Sequence, residues 1–401
     1  MTNTRQLLLE FNSEHNAFSR GKELCDGLSV VLQIADTLWV ANDETISLER
    51  LSLSQDKNAD NNLCAREHKQ FSLSEYLRLP VPHTGQSSDL QEVDIEGLAY
   101  DDGYLWLVGS HSLKRKKPKP ADGVVKAQRQ LAKLDAESNR YLLARIPVVE
   151  DNGEITLKSE VTQNEVSRHA AQLRLRGHGN DLMQALKGDE HLAPFLSIPG
   201  KDNGFDIEGI AVVGKRVFLG LRGPVLRGWA VILELELKET KLDSSVLKLK
   251  RIGSSGRRYR KHFLELGGLG IRDLCVQDKD LLILAGPTMD LDGPVTVFRW
   301  EGGTLVDDEC ILETDSLSRV LEVPFGQGCD HAEGICLFSE QSSEVVSLLV
   351  VYDAASTSRQ LNKRIMKADL FPLVQFDQSV LSLISWYRRF ASADVLVGLT
   401  A

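Results

Sequence analysis

The sequence predicts an all-β protein, a β-propeller of five four-stranded blades. Three observations predict it: a strand–turn–strand pattern recurs along the chain, the copies follow one another at a regular spacing, and an acid–Glu–Gly motif opens several of them. A repeat with room for four strands is typical of blades set around a central axis. The 401 residues, of which 42% are hydrophobic, are enough for one large core of this kind.

The repeat is an apolar strand, a polar turn and a second apolar strand, which predicts a β-hairpin. Four copies align without gaps: SVVLQIADTLWVAND (29–43), EGLAYDDGYLWLVGS (96–110), EGIAVVGKRVFLGLR (208–222) and RDLCVQDKDLLILAG (272–286). A fifth copy with a longer turn is EGICLFSEQSSEVVSLLVVYD (333–353). In the ungapped copies both strands are almost continuously apolar, so we expect both of their faces to be buried.

The spacing of the repeat leaves room for two further strands in each blade. From Gly209 to Asp273 is 64 residues, and from Asp273 to Gly334 is 61. The outer strands predicted for the third and fourth hairpins are WAVILELEL (229–237), KHFLEL (261–266), VTVFRW (295–300) and VLEVP (320–324). The alternatives are a β-sandwich or two β-domains, which fit an even spacing less well.

An insertion separates the second and third hairpins. Helical periodicity between Gln163 and Phe195 predicts a helical insertion at about 160–196, with Asn180 or Asp181 as the N-cap. The number of blades becomes six if this insertion hides a degenerate blade.

The two ends of the chain are predicted to differ in role. The opening strand QLLLEF (6–11) supplies a partner for the last sheet, so residues 1–370 form one propeller domain. Residues 371–401 are interpreted as an amphipathic tail with helical character.

The motifs place polar residues at one mouth of the propeller channel, because a hairpin brings the start of its first strand and the end of its second to the same face. The strand entries supply Asp94, Glu96, Asp206, Glu208, Arg272, Asp273, Asp330 and Glu333. The strand exits supply Asp43, His111, Arg222, Arg227, Thr288 and Asp353. A glycine after the glutamate allows the first strands to approach the axis closely.

Carboxylates gathered in a ring repel one another, so a cation, arginines or protonation must offset their charge. Oxygen ligands suit Ca²⁺ or Mg²⁺, and the candidate ligands are Glu96, Glu208, Glu333, Asp94 and Asp330. The alternative is structural: the acids accept hydrogen bonds from backbone amides and arginines, and so join neighbouring blades.

The stretch GLRGPVLRG (220–228) carries two arginines in a Gly/Pro loop. Guanidinium groups bind phosphate or carboxylate in a bidentate manner. The candidate substrate-binding residues are Arg222, Arg227, Arg272 and Thr288. The alternative is that the arginines pair with the neighbouring acids, such as Asp206 and Glu208.

The quoted motifs resemble those of a bacterial family of unknown function. The segments that carry this resemblance are DIEGLAY…LWLVGSHS, FDIEGIAV…LGLRGPVLRG, GLGIRDL…LLILAGPT and HAEGICL…LLVVYD. The Glu–Gly strand entry is more distantly similar to phytase-like esterase propellers and to the gluconolactonase and regucalcin group. The latter resemblance implies a divalent-metal ligand at Glu96, Glu208 or Glu333; the asparagine ligands and catalytic aspartate of that group have no match here.

Two functions of different classes follow from these patterns. One is a metal-assisted hydrolase of a small anionic ester, phosphoester or lactone, in which His111, Asp206 or Asp273 moves the proton. The other is a non-catalytic binding or scaffold propeller for a metabolite, or for a protein that contacts the helical insertion. A metal site with open positions would favour the hydrolase, and a ring neutralised by arginines would favour binding or structure.

The composition excludes several other classes. A formal net charge of −10 argues against a nucleic-acid partner. We find no signal peptide and no apolar run of membrane-spanning length, so we expect no membrane partner. Six cysteines without a CxxC pair indicate reduced thiols and a cytoplasmic location.

Overall fold

The computed structural model describes most of the chain, in eight segments. They are residues 4–17, 22–54, 63–81, 91–119, 121–163, 165–289, 291–340 and 346–373. The predicted tail falls almost entirely outside the described residues.

Strands dominate the described residues, as predicted. The first group is β1 (Arg5–Glu10), β2 (Leu28–Ile34), β3 (Thr37–Asn42), β4 (Ser47–Leu53) and β5 (Leu63–Ser72). The second group is β6 (Ile95–Asp101), β7 (Tyr104–Gly109), β8 (Lys114–Arg115), β9 (Leu134–Asp135), β10 (Leu143–Asp151), β11 (Glu154–Leu157), β12 (Glu160–Gln163), β13 (Val166–His169), β14 (Ala171–Leu173), β15 (Leu175–Arg176) and β16 (Gly179–Asn180).

Three further groups complete the strands. The third group is β17 (Asp206–Val213), β18 (Arg216–Gly223), β19 (Trp229–Glu239), β20 (Val246–Leu249) and β21 (Arg260–Glu265). The fourth is β22 (Gly270–Gln277), β23 (Asp280–Gly286), β24 (Val295–Trp300), β25 (Ile311–Leu312) and β26 (Ser318–Val323). The fifth is β27 (His331–Ser339), β28 (Val346–Asp353), β29 (Gln360–Asn362) and β30 (Ile365–Pro372).

Helices are short in the described part of the chain. The α-helices are α1 (Ser13–Asn16), α2 (Val124–Ala132) and α3 (Asp181–Leu186). The 3₁₀ turns are Leu24–Asp26, Leu73–Glu75, Ser138–Tyr141, Ala193–Phe195, Gly200–Asp202, Ser254–Gly256, Gly303–Leu305 and Thr314–Ser316. None of the helices in these segments has the length and apolar character needed to cross a membrane.

Each group opens with one of the predicted hairpins. The pairs β2–β3, β6–β7, β17–β18, β22–β23 and β27–β28 are all antiparallel. The predicted outer strands are confirmed: β19 pairs with β21, and β24 pairs with β26. The opening strand β1 pairs antiparallel with β30 and completes the last group, as predicted.

The first strands of the hairpins lie against one another in chain order. β2 contacts β6, β6 contacts β17, β17 contacts β22 and β22 contacts β27, which returns to contact β2. The hairpins therefore surround a common axis, and the fold is β-propeller-like. Almost all residues of β3, β7, β18 and β23 are buried, so these second strands form much of the core.

The insertion between the second and third hairpins is mostly β rather than helical. β12 and β13 pair as a hairpin where helical periodicity predicted a helix from Gln163 onward. β14 then pairs in parallel with β20, and this tertiary pairing overrides the local periodicity. Of the two predicted caps, Asn180 is the one that caps the short α3, since its Oδ1 accepts from the backbone N–H groups of Leu182 and Met183 at 3.0 Å each.

Glycines after the motif glutamate allow the first strands to pack at backbone distance. A Cβ on Gly209 would lie 2.9 Å from Asp273 Cα and 2.9 Å from the amide nitrogen of Leu274. Similarly, a Cβ on Gly97 would lie 2.8 Å from the amide nitrogen of Ile210. The predicted close approach of the first strands therefore requires glycine at these positions.

Gly209→Ala should destabilise the protein by about 1–3 kcal/mol, because the added methyl group meets backbone atoms of β22 that cannot move independently. The matched control is Gly188→Ala, since a Cβ there meets nothing within 4 Å. Denaturant unfolding of both variants measures the difference. Equal midpoints for the two variants would contradict the close packing of β17 on β22.

A buried carboxylate joins three strands of the third group. Glu234 on β19 has a side chain that is 0% exposed; its Oε1 accepts from Arg216 Nε at 2.8 Å and from Arg260 Nη1 at 3.0 Å. Its Oε2 lies 3.0 Å from His262 Nε2, and His262 Nδ1 lies 3.2 Å from Cys310 Sγ. Burial alone would raise the pKa of Glu234, but hydrogen bonds from His262 and Arg216 lower it to about 2. The carboxylate is therefore ionised at neutral pH.

Candidate functional site

A β-bulge recurs at one position in every first strand. The strand pairing passes over one residue between Leu28 and Val30 in β2, and the equivalent step occurs in β6, β17, β22 and β27. The residues passed over are Ser29, Glu96, Glu208, Arg272 and Glu333. A bulge leaves its extra residue outside the ladder and redirects its side chain. The repeated motif therefore marks a β-bulge, and the bulge residues of β6, β17, β22 and β27 belong to the site.

Two arginines link the bulge carboxylates of neighbouring units. Arg222, at the end of β18, pairs with Asp206 and places Nη1 2.5 Å from Glu208 Oε1. Arg272, the bulge residue of β22, places Nη1 3.1 Å from Glu208 Oε2 and 2.9 Å from Glu333 Oε1. The result is an alternating chain of charges across the third, fourth and fifth groups.

A third arginine neutralises the acids that precede β6. Arg140 pairs with Glu92 and places Nη1 2.8 Å from Asp94 Oδ2. Burial would lower the pKa of Arg140, but Asp94 and Glu92 hold it above its usual value. The sequence did not predict Arg140 or Glu92, since neither belongs to a repeated motif and 46 residues separate Arg140 from Asp94.

Three carboxylates of the site lack such partners. Asp43, Glu96 and Asp353 form no ion pair within 4.0 Å in the described residues. Each is only partly buried, whereas Asp94, Asp206 and Glu208 are 6%, 1% and 2% exposed. Solvent, or a ligand, can therefore reach these three unpaired acids.

Electrostatic repulsion accompanies this lack of partners. Burial, then the neighbouring Asp94 and Asp353, raises the pKa of Asp43 to about 8. Burial, then Asp94 and Glu208, raises the pKa of Glu96 well above its ordinary value. Gly27 lies against the same group, since a Cβ there would lie 2.9 Å from Asp353 Oδ1 and 4.0 Å from Asp43 Oδ1. Among the described residues, the nearest positive charges are not in ion-pair contact with these acids, although Asp43 contributes to raising the pKa of Lys201.

Asp273, a predicted catalytic residue, joins two neighbouring strands. It occupies the position of the motif glycine in β22, and its side chain is buried. Oδ1 accepts from the backbone N–H of Leu274 at 2.7 Å, and Oδ2 accepts from that of Ile335 on β27 at 2.8 Å. Burial raises the pKa of Asp273 well above its ordinary value, against these two hydrogen bonds. This geometry matches the structural alternative, in which acids accept from backbone amides of the next unit.

His111 is also among the predicted proton carriers, and it is 1% exposed. Its Nδ1 lies 2.7 Å from the carbonyl oxygen of Gly109, and its Nε2 lies 2.7 Å from Asn180 Nδ2. The carbonyl can only accept and the amide nitrogen can only donate, so the ring is neutral with its proton on Nδ1. Burial lowers the pKa of His111 to about 4. Both ring nitrogens therefore have structural partners.

The acids and arginines described above are together called the charge cluster: Asp43, Glu92, Asp94, Glu96, Asp206, Glu208, Glu333, Asp353, Arg140, Arg222 and Arg272. Three other predicted site residues make no contact with this charge cluster among the described hydrogen bonds and ion pairs. Asp330 Oδ1 lies 3.0 Å from Arg359 Nε, and Arg359 also pairs with Asp369. Arg227 is exposed in the turn before β19, and Thr288 follows the end of β23. The proposed anion clamp therefore keeps only Arg222 and Arg272, and both already bind carboxylates.

Lys201 is a further residue near the mouth, and the motifs did not predict it as a site residue. Burial and then Arg222 lower the pKa of Lys201, but Glu333 and other mouth carboxylates raise it above its usual value. It lies in the PGKDNG segment immediately before the third motif, and this closeness to a strand entry could have indicated a place at the mouth.

The resemblance to the gluconolactonase group implies a divalent-metal ligand at Glu96, Glu208 or Glu333. Two of these three carboxylates already form ion pairs with arginines. Glu208 accepts from guanidinium groups at both oxygens and Glu333 at Oε1, so a metal would have to replace these ion pairs. Within the described segments, no group of three or more His, Cys, Asp or Glu side chains could hold a metal ion.

Comparisons with solved structures give weak likenesses. The allergen Mala s 1 of Malassezia sympodialis is 11% identical, over 90% of this chain and 82% of that chain, with a TM-score of 0.33. A protein proposed to be a 6-phosphogluconolactonase from Bacteroides fragilis is 11% identical, over 82% and 66%, with a TM-score of 0.28. The Nup133 β-propeller domain of Vanderwaltozyma polyspora is 8% identical, over 86% and 82%, with a TM-score of 0.28. TM-scores this low carry no argument about function.

A search of curated proteins found no match. A family model does match, over residues 27–369, which include all five hairpins and the whole charge cluster. The chain therefore belongs to the family described as "Protein of unknown function (DUF3616)".

Proposed function

We propose that this protein is a five-bladed β-propeller that acts as a non-catalytic binding module, and that its channel mouth binds a small molecule with a positively charged nitrogen group. One observation carries the proposal: Asp43, Glu96 and Asp353 face solvent-accessible space without an ion pair in the described residues. A cationic ligand would supply the charge that these acids lack.

The blade count rests on the ring of first strands. Each hairpin has one bulge in its first strand, and β27 returns to contact β2 without another hairpin between them. The insertion contributes β14 to the second group and a separate β12–β13 hairpin, so it supplies no additional first strand. Five blades account for these contacts.

The predicted catalytic and anion-binding side chains already have partners within the protein, which supports binding over catalysis. Arg222 and Arg272 each bind two carboxylates of the protein, so a substrate anion would have to compete with these ion pairs. His111 has a partner on each ring nitrogen, and a proton transfer would first have to break one of those hydrogen bonds. A rigid, partly neutralised ring with an unpaired acidic side fits the recognition of a cation.

Binding of a cation should couple to pH. With a pKa of about 8, Asp43 is largely protonated at pH 6 and must lose its proton to attract a cation. The affinity should therefore rise as the pH rises toward about 8 and then level off. A proton is released on binding at lower pH, which calorimetry in buffers of different ionisation enthalpy detects.

The test is isothermal titration calorimetry of the whole chain with agmatine and with spermidine. We expect binding of at least one probe, and we expect Glu96→Gln and Asp43→Asn each to weaken it about tenfold, which corresponds to about 1.4 kcal/mol. The control is Glu190→Gln, whose side chain is 77% exposed and lies outside the cluster. Absence of binding by both probes, or equal binding by the wild type and Glu96→Gln, would overturn the proposal.

A metal-assisted hydrolase is the second candidate function, because Glu96 of the repeated motif forms no ion pair in the described residues and so offers its carboxylate as one metal ligand. Titration with Ca²⁺ and Mg²⁺, and a hydrolysis screen on lactones and phosphoesters with and without chelator, address it. Chelator-sensitive hydrolysis lost in Glu96→Gln would replace the binding module by the hydrolase.

A further inference from the structure

A cavity lies at the outer edge of the fold, where the second and third groups meet and the sheet is most distant from the first strands β6 and β17. There β14 and β20 pair in parallel, and a cavity of about 350 Å³ opens beside this seam. Its lining includes apolar Leu77, Leu173 and Val246 and polar Tyr76, His169 and Arg174. This volume falls within the usual range for small-molecule sites, and the mixture of an apolar wall with a few polar groups is typical of them.

One wall of the cavity is held in place by a side-chain amide. Gln172, which is 7% exposed, accepts from the backbone N–H of Arg78 at 2.9 Å and donates to the backbone carbonyl of Arg78 at 2.9 Å. These paired hydrogen bonds fix the segment that carries Tyr76 and Leu77 against the seam. The cavity is therefore formed before any ligand arrives, which lowers the entropic cost of binding.

Arg174 lines this cavity and supplies a positive charge to it. Its backbone N–H donates to the carbonyl oxygen of Leu247 at 3.0 Å, which fixes the residue at the end of the seam. Its partly buried side chain has no hydrogen-bond or ion-pair partner in the described residues. A partly desolvated guanidinium without a counter-ion favours an anion that can reach it.

The neighbouring charges leave this position open to an anion. Arg78 meets Asp243 at 3.4 Å, and its side chain is 80% exposed. His169 Nδ1 lies 3.8 Å from Glu160 Oε1, and the Glu160 side chain is 63% exposed. Both acids therefore have another partner, and neither forms an ion pair with Arg174.

We propose that this cavity binds a small organic anion with an apolar body. The phosphate or carboxylate head pairs with Arg174 and accepts from the Tyr76 hydroxyl, and the apolar part packs on Leu77, Leu173 and Val246. The ligand class is opposite in charge to the one proposed for the channel mouth, so the two proposals stand or fall separately.

The test is calorimetric titration of the whole chain, at low chloride concentration, with inorganic phosphate, phenyl phosphate and phenylacetate. We expect phenyl phosphate to bind at least tenfold more tightly than inorganic phosphate, because its ring reaches the apolar wall. The comparison of phenyl phosphate with phenylacetate distinguishes the phosphate from the carboxylate as the preferred head. No binding of any of these probes at millimolar concentration would overturn the proposal.

Variants locate the binding. Arg174→Gln should weaken phenyl phosphate binding at least tenfold, and Arg174→Lys, which keeps the charge but loses the planar fork, should weaken it less. The control is Arg176→Gln, because Arg176 Nε pairs with Asp181 Oδ1 at 2.7 Å and is not in the cavity lining. Equal losses at positions 174 and 176, or no loss in Arg174→Gln, would overturn the assignment. Agmatine binding at the mouth should be unchanged in every one of these variants.

Discussion

Replacing Arg222 with methionine should destabilise the protein by about 3–5 kcal/mol, because it removes one partner from a buried ion-pair network. Asp206 and Glu208 are 1% and 2% exposed, and Arg222 is the residue that binds both. Glu208 would keep Arg272, but Asp206 would lose its only ion-pair partner among the described residues. Methionine keeps much of the side-chain volume, so the loss reports on charge rather than on packing.

The measurement is the free energy of unfolding from denaturant titration, with Arg227→Met as the control. Arg227 belongs to the same GLRGPVLRG stretch but is exposed, so its replacement should change stability by no more than about 0.5 kcal/mol. The double variant Arg222→Met with Asp206→Asn should recover part of the loss, since the buried charge is removed with its partner. If Arg222→Met costs no more than Arg227→Met, the charge cluster is not an important source of stability.

The hairpins could be predicted because their evidence is local. The alternation of apolar strands and polar turns lies within about twenty residues, and the spacing of the copies places the outer strands. The partner of β1 could be predicted for a different reason: the last group lacked a strand, and an unassigned apolar strand opened the chain. The hairpins follow from the length of the apolar strands, and the pairing of β1 follows from the need to close the last sheet.

The insertion was predicted wrongly, and for β14 the reason is that this strand depends on a distant partner. β14 is three residues long and pairs with β20, about 75 residues later in the chain. Local periodicity carries no information about such a partner. The cap of α3 is a local feature, and Asn180 was one of the two residues predicted for it.

The charge cluster could be predicted only where the repeat marks it. Glu96, Glu208, Arg272 and Glu333 share one position of the repeat, and the structure shows that this position is a bulge. Which acids are neutralised depends on residues outside the repeat. Arg140 comes from a 3₁₀ turn after the second hairpin, and only the folded chain brings it to Asp94. His111 was misleading because a sequence motif does not reveal that a carbonyl and an amide occupy both ring nitrogens.

Glu234→Gln should also cost about 3–5 kcal/mol at neutral pH, because it leaves Arg216 and Arg260 without the buried carboxylate that binds both. Glutamine has the same shape, but the amide nitrogen that replaces one oxygen cannot accept a hydrogen bond from either of these arginines or from His262. The control is Glu236→Gln on the same strand, whose Oε2 lies 2.8 Å from Lys250 Nζ at the partly exposed surface. That exposed pair contributes about 0–1 kcal/mol, so its removal should have little effect.

The difference between the wild type and Glu234→Gln should depend on pH in a defined direction. The folded-state pKa of Glu234 is about 2, below its ordinary value of 4.5, so folding favours the ionised carboxylate. This contribution is complete above pH 4.5 and is lost as the pH falls toward 2. Denaturant titrations at pH 7, 5, 4 and 3 should therefore show the two proteins converging at the acidic end, while Glu236→Gln stays parallel to the wild type. A constant difference between the wild type and Glu234→Gln across this range would show that the glutamine acts through altered packing rather than through the lost charge.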